Sequence, residues 1–222
     1  VWEKATAPAV TSLADATTPE LVAALGADTA FWRLTAQRLL VEGPFVEAAP
    51  ALVSLVTAND GAIAAIHALW TLHGLGKLDP ATHRAALLAK DARLRRNAIR
   101  ALASDEASTA LFFGSGVVSD PDPTTRLAAF VKLAEFPTTP EIQTLVKQLA
   151  NDADLRKDEW LAEAIRVLAK AHDADLYTDG PNLLPNPGME ELTPEGLPVG
   201  WRRRDYGGEP KKAGNESAEW SI

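Results

Sequence analysis

The chain repeats itself. A small residue followed four positions later by leucine recurs as Ala36/Leu40, Ala68/Leu72, Ala98/Leu102, Ala129/Leu133 and Ala164/Leu168, at intervals of 32, 30, 31 and 35 residues. Self-similarity of this period means one supersecondary unit per copy, each unable to bury its apolar face alone and so stacked on its neighbours. Three residues before the alanine stands arginine in three copies, Arg33, Arg95 and Arg126. Each is preceded within about a turn and a half by an acid, Asp28, Asp91 and Asp122. The other two copies carry Ala65 and Leu161 instead. On a helix these positions share one face, so each copy offers a small residue and a leucine to a neighbour, and the small residue permits close backbone approach.

Between these segments lie partners with apolar stripes of their own: Leu21 and Leu25, the stretch 45–56, Ala85 with Leu87 and Leu88, the stretch 111–113, and Ile142, Leu145, Val146 and Leu149. Thr18-Pro19-Glu20 and Asp79-Pro80 place proline in a first turn, a start signal for helices. Two helices per roughly thirty residues is the arithmetic of an α-solenoid. The period and the Asp-to-Arg pattern, as in DARLRRNAIRAL at 91–102, resemble HEAT repeats. The bulky pattern of tetratricopeptide repeats and the Thr-Pro-Leu-His turn of ankyrin repeats do not recur. We expect an all-α, HEAT-like α-solenoid over residues 1–179.

Composition shifts near residue 180. The last 43 positions hold seven of the 14 glycines and six of the 15 prolines, but only two alanines, Ala213 and Ala218. Frequent turn signals with short apolar bursts, including Val199-Gly200-Trp201, predict short β-strands. About forty residues with two or three strands cannot bury a core of their own. We therefore expect 180–222 to be a β-rich, incomplete sandwich that is either cut off inside a domain or laid on the helices.

Several function classes are excluded at this level. With 46% apolar and 23% charged residues, this is not the composition of a disordered chain. No run of about eighteen apolar residues predicts a membrane span. The absence of cysteine removes thiolate nucleophiles, thiolate zinc sites and attached haem. A net charge of −8 and a pI near 5.0 argue against wrapping a phosphate backbone, so no nucleic-acid partner is expected. The first residue, Val1, and the lack of a leader pattern suggest a processed product or an excised piece.

Candidates for chemistry are few. His67 and His73, six apart, fall on different sides of a helix, no His-Glu-x-x-His occurs, and His83 and His172 stand alone, so structural or solvated roles are expected for all four. Gly114-Ser115-Gly116 lacks the spacing and strand of a nucleophile elbow and reads as a helix-terminating loop. In the basic cluster Arg93, Arg95, Arg96 and Arg100, an anion patch competes with a structural ladder in which repeat arginines bond carboxylates or helix-end carbonyls. The ladder is favoured, with Arg33, Arg95 and Arg126 as rungs. Arg202 to Arg204 read as a solvated face, and the adjacent Glu190 and Glu191 do not converge as a catalytic pair. Trp32, Trp70 and Trp160 are expected to pack rather than to hold sugars.

The segments FWRLTAQRLLVE (31–42), IHALWTLHGLG (66–76) and DARLRRNAIRAL (91–102) together resemble the HEAT-repeat region of the very large secreted "membrane-bound dehydrogenase", haem-binding proteins of planctomycetes and verrucomicrobia. The resemblance covers about residues 18–175. In such proteins this region follows a sugar-dehydrogenase-like propeller and precedes a carbohydrate-binding-like sandwich and a cytochrome c segment. It implies a periplasmic or extracellular location, with partners among other domains of the parent protein. This chain holds neither a propeller nor Cys-x-x-Cys-His, so the implied redox chemistry does not reside in it. The tail motif NLLPNPGME (182–190) with Gly200-Trp201 resembles the opening strands of galactose-binding-like, jelly-roll carbohydrate-binding modules. That likeness implies Glu190 as a calcium-ligand candidate and polysaccharide as a partner.

These readings give a non-catalytic scaffold from a larger extracytoplasmic dehydrogenase-like protein, with no cofactor beyond that calcium. The alternative is a glycan- or peptide-binding module that uses the helices and the tail together. An independent enzyme ranks third, because no convergent catalytic set is visible.

Overall fold

A computed structural model describes residues 12–58 and 61–174, with Leu176, Leu192 and Pro194 beyond them. The chain divides by contact into Val1–Asp175 and Leu176–Ile222. In the second unit Leu192 belongs to an isolated β-bridge. The expected strands of 180–222, with Glu190 and Trp201, lie outside the described residues.

Among the described residues the first unit is all α. Its ten helices, among the described residues, are α1 (Thr18–Ala24), α2 (Ala30–Glu42), α3 (Ala49–Thr57), α4 (Ile63–Gly74), α5 (Pro80–Leu87), α6 (Ala92–Arg100), α7 (Glu106–Ser115), α8 (Pro123–Leu133), α9 (Pro140–Asn151) and α10 (Glu159–Ala171). Local chemistry sets their starts. The Oδ1 atoms of Asp79, Asp91, Asp105, Asp122 and Asp158 accept backbone N–H groups in the first turns of α5, α6, α7, α8 and α10. Thr139 Oγ1 does the same for α9. Each such cap satisfies a donor that the helix itself leaves open. Glu20 reaches back to the Thr17 N–H at 2.8 Å, closing the start of α1. Gly116, at φ 71°, ends α7 in the left-handed conformation that glycine adopts without strain. Gly114, expected in a terminating loop, lies inside α7 instead, so the stop belongs to Gly116 alone.

The helices bearing the repeated motif stack in chain order: α2 on α4, α4 on α6, α6 on α8 and α8 on α10. α1, α3, α5 and α9 each pack against the motif helix that follows them, and α3 meets α5. The core includes Leu21, Leu25, Leu52, Leu87 and Ile142 together with Leu40, Leu69, Leu72, Ile99, Phe130 and Leu133 from the motif helices, all fully buried. Each such side chain contributes about 1.5–3 kcal/mol on burial. That packing is what holds α1 and α5, seven and eight residues long, because isolated helices of this length are unstable in water.

Ala36, Ala68, Ala98 and Ala129 have no exposed surface, whereas Ala164 is half-buried. The count from the helix cap sets Ala164 apart from Ala36, Ala98 and Ala129. Ala36, Ala98 and Ala129 each stand seven residues after their N-caps, Thr29, Asp91 and Asp122. Counted from Asp158, the seventh residue of α10 is Ile165, which is buried, and Ala164 is the sixth. The Ala/Leu match at 164 and 168 is therefore out of register by one in the fifth copy. In α4, whose N-cap Ala62 offers no side-chain acceptor, Ala68 is also the sixth residue and is nonetheless fully buried, so the count from the cap does not by itself fix burial.

Candidate functional site

Of the three arginines expected to form a ladder, Arg33 and Arg95 bond carbonyls at the entry to their motif helices. Arg33 donates from Nη1 to the carbonyls of Ala27 and Asp28 at 2.6 and 2.9 Å. Arg95 repeats this with Ala89 and Lys90, both at 2.9 Å. Each arginine thereby ties down the turn that precedes its own helix, then reaches across to the next repeat. Arg95 binds Asp120 in a fork, Nε to Oδ2 at 2.6 Å and Nη2 to Oδ1 at 2.7 Å. The pair is well buried, with 12% and 5% of the side chains exposed. Asp120 also accepts the Asp122 N–H, so the bridge fixes the cap of α8 as well.

Arg126 does not complete the ladder. Its Nε is buried without a hydrogen-bond partner, so the expectation that all three arginines bond acids or carbonyls is corrected here. It acts only at longer range, helping to hold the Asp152 carboxyl below its usual range after the Leu155 and Asp154 N–H groups have done most of that. The acids Asp91 and Asp122 are not partners of the ladder arginines either. Both are N-caps: Asp91 clasps Arg93, and Asp122 accepts from Arg96 at 3.3 Å. Their carboxyls lie below the ordinary range, Asp91 chiefly through Arg93 and Asp122 chiefly through the Thr125 hydroxyl. Asp28 takes part through its backbone carbonyl. Two partners that the sequence pattern did not mark, Asp120 and His67, carry the links between repeats.

His67 shows how a side chain's protonation state follows from its neighbours. Arg33 Nε can only donate, and it meets His67 Nε2 at 3.2 Å, so that nitrogen carries the lone pair. The proton sits on Nδ1, which donates to Gln37 Oε1 at 2.8 Å. Burial, then the Arg33 charge, lowers the His67 pKa and favours this neutral form. His83 Nε2 donates to the Ala98 carbonyl, and burial lowers its pKa too. His172, fully buried, donates to the Leu133 carbonyl. All three are structural, joining successive helices. Trp70 adds a further link, its indole N–H donating to Asn97 Oδ1 at 2.8 Å.

Among the described residues no group of three or more His, Asp or Glu side chains gathers to hold a metal ion. Glu190, the calcium candidate, lies outside them. No single described helix is long and apolar enough to cross a membrane. The chain matches no family model, no curated protein and no solved structure.

What the arrangement offers is surface. Trp160, expected to pack, is 73% exposed in the first turn of α10. Phe31, Leu34, Val131 and Val167 on other turns of the motif helices are more than half exposed. A groove of about 530 Å³ lies between the segment 12–16 and helices α1 and α2, lined by Asp15, Glu20, Asp28 and Trp32 among small alanines. A smaller groove of about 240 Å³ between α6 and α8 is lined by Arg100, Leu127, Val131, Lys132 and Glu135.

Proposed function

We propose that the helical region is a HEAT-like α-solenoid serving as a non-catalytic scaffold, a spacer and interaction surface within a larger extracytoplasmic dehydrogenase-like protein. One observation carries this reading: helices recurring about every thirty residues stack in chain order, and each is tied to the next, or to the segment that leads into it or out of it, by a polar link. Such one-dimensional stacking gives every repeat only nearest neighbours and leaves one long face of the motif helices uncovered. Large apolar side chains exposed together on such a face mark a surface that meets another polypeptide.

A second reading, a glycan- or peptide-binding module, draws support from the Trp32 groove, where an indole and carboxylates stand together as in many sugar sites. Tryptophan fluorescence during oligosaccharide titration, compared with a Trp32→Ala variant, separates the two. For the scaffold reading, a photoreactive residue in place of Leu34 or Val131 in the full-length parent protein is expected to crosslink to a defined polypeptide segment. Crosslinks at neither position would contradict it.

A further inference from the structure

Counted from the N-caps, residues two, five and nine of each motif helix fall on one face, since these spacings bring side chains into line. On α2, α8 and α10 that face carries Leu34, Val131 and Val167, exposed at 58%, 58% and 55%. On α6, between them, the same three places hold Arg93, Arg96 and Arg100. In a chain of net charge −8, these places set a row of guanidinium groups on α6 beside the aliphatic Val131 of α8, while on α4 they hold the buried Ala64 and Thr71 and on α10 they include Glu163, already paired with Arg166.

The three arginines differ in how far they are committed. Arg93 is spent on Asp91 and on the Gly61 carbonyl. Arg96 gives one bond, at 3.3 Å, to Asp122. Arg100 is exposed and bonds to no described residue. Beside it runs the groove between α6 and α8, lined by Leu127, Ala128 and Val131. Lys132 and Glu135 also line the groove and are spent on each other, the Lys132 Nζ donating to the Leu102 carbonyl and to Glu135.

We propose that this face docks an acidic protein segment, with an aspartate or glutamate on Arg100 and Arg96 and an aliphatic neighbour seated in the α6–α8 groove. The proposal rests on the scaffold reading and names the chemistry of its partner. A planar guanidinium with free donors is matched by a carboxylate, which it binds through paired hydrogen bonds. The aliphatic flank selects a polypeptide over a uniform polyanion, because a phosphate or sulfate chain offers nothing to cover Val131.

The test is a peptide-display selection of random twelve-residue peptides on the full 222-residue chain. Selected peptides are expected to carry an acid beside Leu, Ile or Val. Their affinity should fall about tenfold or more in Arg100→Glu and in Val131→Asp, more steeply at low salt for the former. Lys77→Glu, in the connection between α4 and α5 and off this face, should leave binding unchanged, and unaltered thermal melts would show all three variants folded. The proposal is overturned if acids are not enriched or if Arg100→Glu binds as well as the parent chain. It is also overturned if a sulfated polysaccharide displaces the peptides and binds Val131→Asp undiminished. None of these results touches the scaffold reading, which stands or falls on crosslinking in the parent protein.

Discussion

At the scale of single residues, one arginine pattern yields two energetic outcomes. Arg95 and Asp120 are paired and hydrogen-bonded in a protected place, so removing one partner strands the other's charge. Asp120→Ala is expected to cost about 3 kcal/mol in urea unfolding. Loss of the exposed Arg93–Asp91 contact should cost no more than about 1 kcal/mol. Arg126→Leu should be neutral or stabilising, because it removes a buried N–H that nothing satisfies. A cost for Arg126→Leu equal to that for Arg95→Leu would show that the rungs are alike after all. The histidines give a pH dependence. His67 and His83 have folded-state pKa values below their ordinary value, so the unfolded chain binds more protons once pH drops under about 6.5. Stability is full above that pH and declines as pH falls through the window down to the folded-state values. The urea midpoint should therefore decrease between pH 8 and pH 5.5, and less so in His67→Gln, whose amide oxygen still accepts from Arg33. A midpoint flat over that range in the parent chain would contradict the neutral assignment.

At the scale of helices, what the sequence makes legible depends on whether the signal is local. Capping aspartates, first-turn prolines and the Ala/Leu spacing are local, and they point to the helices that form around Ala36, Ala68, Ala98 and Ala129. The register of α10 was not legible, because Ala164 and Ile165 both fit a helical face and only the position of Asp158 as cap decides between them. Partners across repeats were not legible either. Asp120 lies 25 residues beyond Arg95, in a connecting turn, with no fixed spacing to mark it. Trp160 misled for a related reason: its type suggests burial, but its place two residues after the cap turns it outward. Ala98 tests the packing directly. It has no exposed surface in the helix that meets both α4 and α8, so Ala98→Leu should overpack that contact and cost about 1–3 kcal/mol. The same substitution at the half-buried Ala164 should cost less. Equal thermal shifts for the two would remove the register argument.

At the scale of the helical unit, the five motif helices meet in chain order, and the proposed interaction surface depends on that order. Neighbouring helix axes in such packing stand about 8–10 Å apart, so the ninth residues of successive helices are within reach of a short bifunctional reagent. Those of the first and fifth helices are not. Because the chain has no cysteine, pairs introduced at these places report on nothing else. The decisive measurement is crosslinking with a bismaleimide of about 10 Å span in double-cysteine variants of the full chain. The account predicts rapid intramolecular crosslinks for Arg100→Cys with Val131→Cys and for Val131→Cys with Val167→Cys, and none for Arg38→Cys with Val167→Cys. Efficient linking of positions 38 and 167, or failure at 131 with 167, would contradict the stacked order.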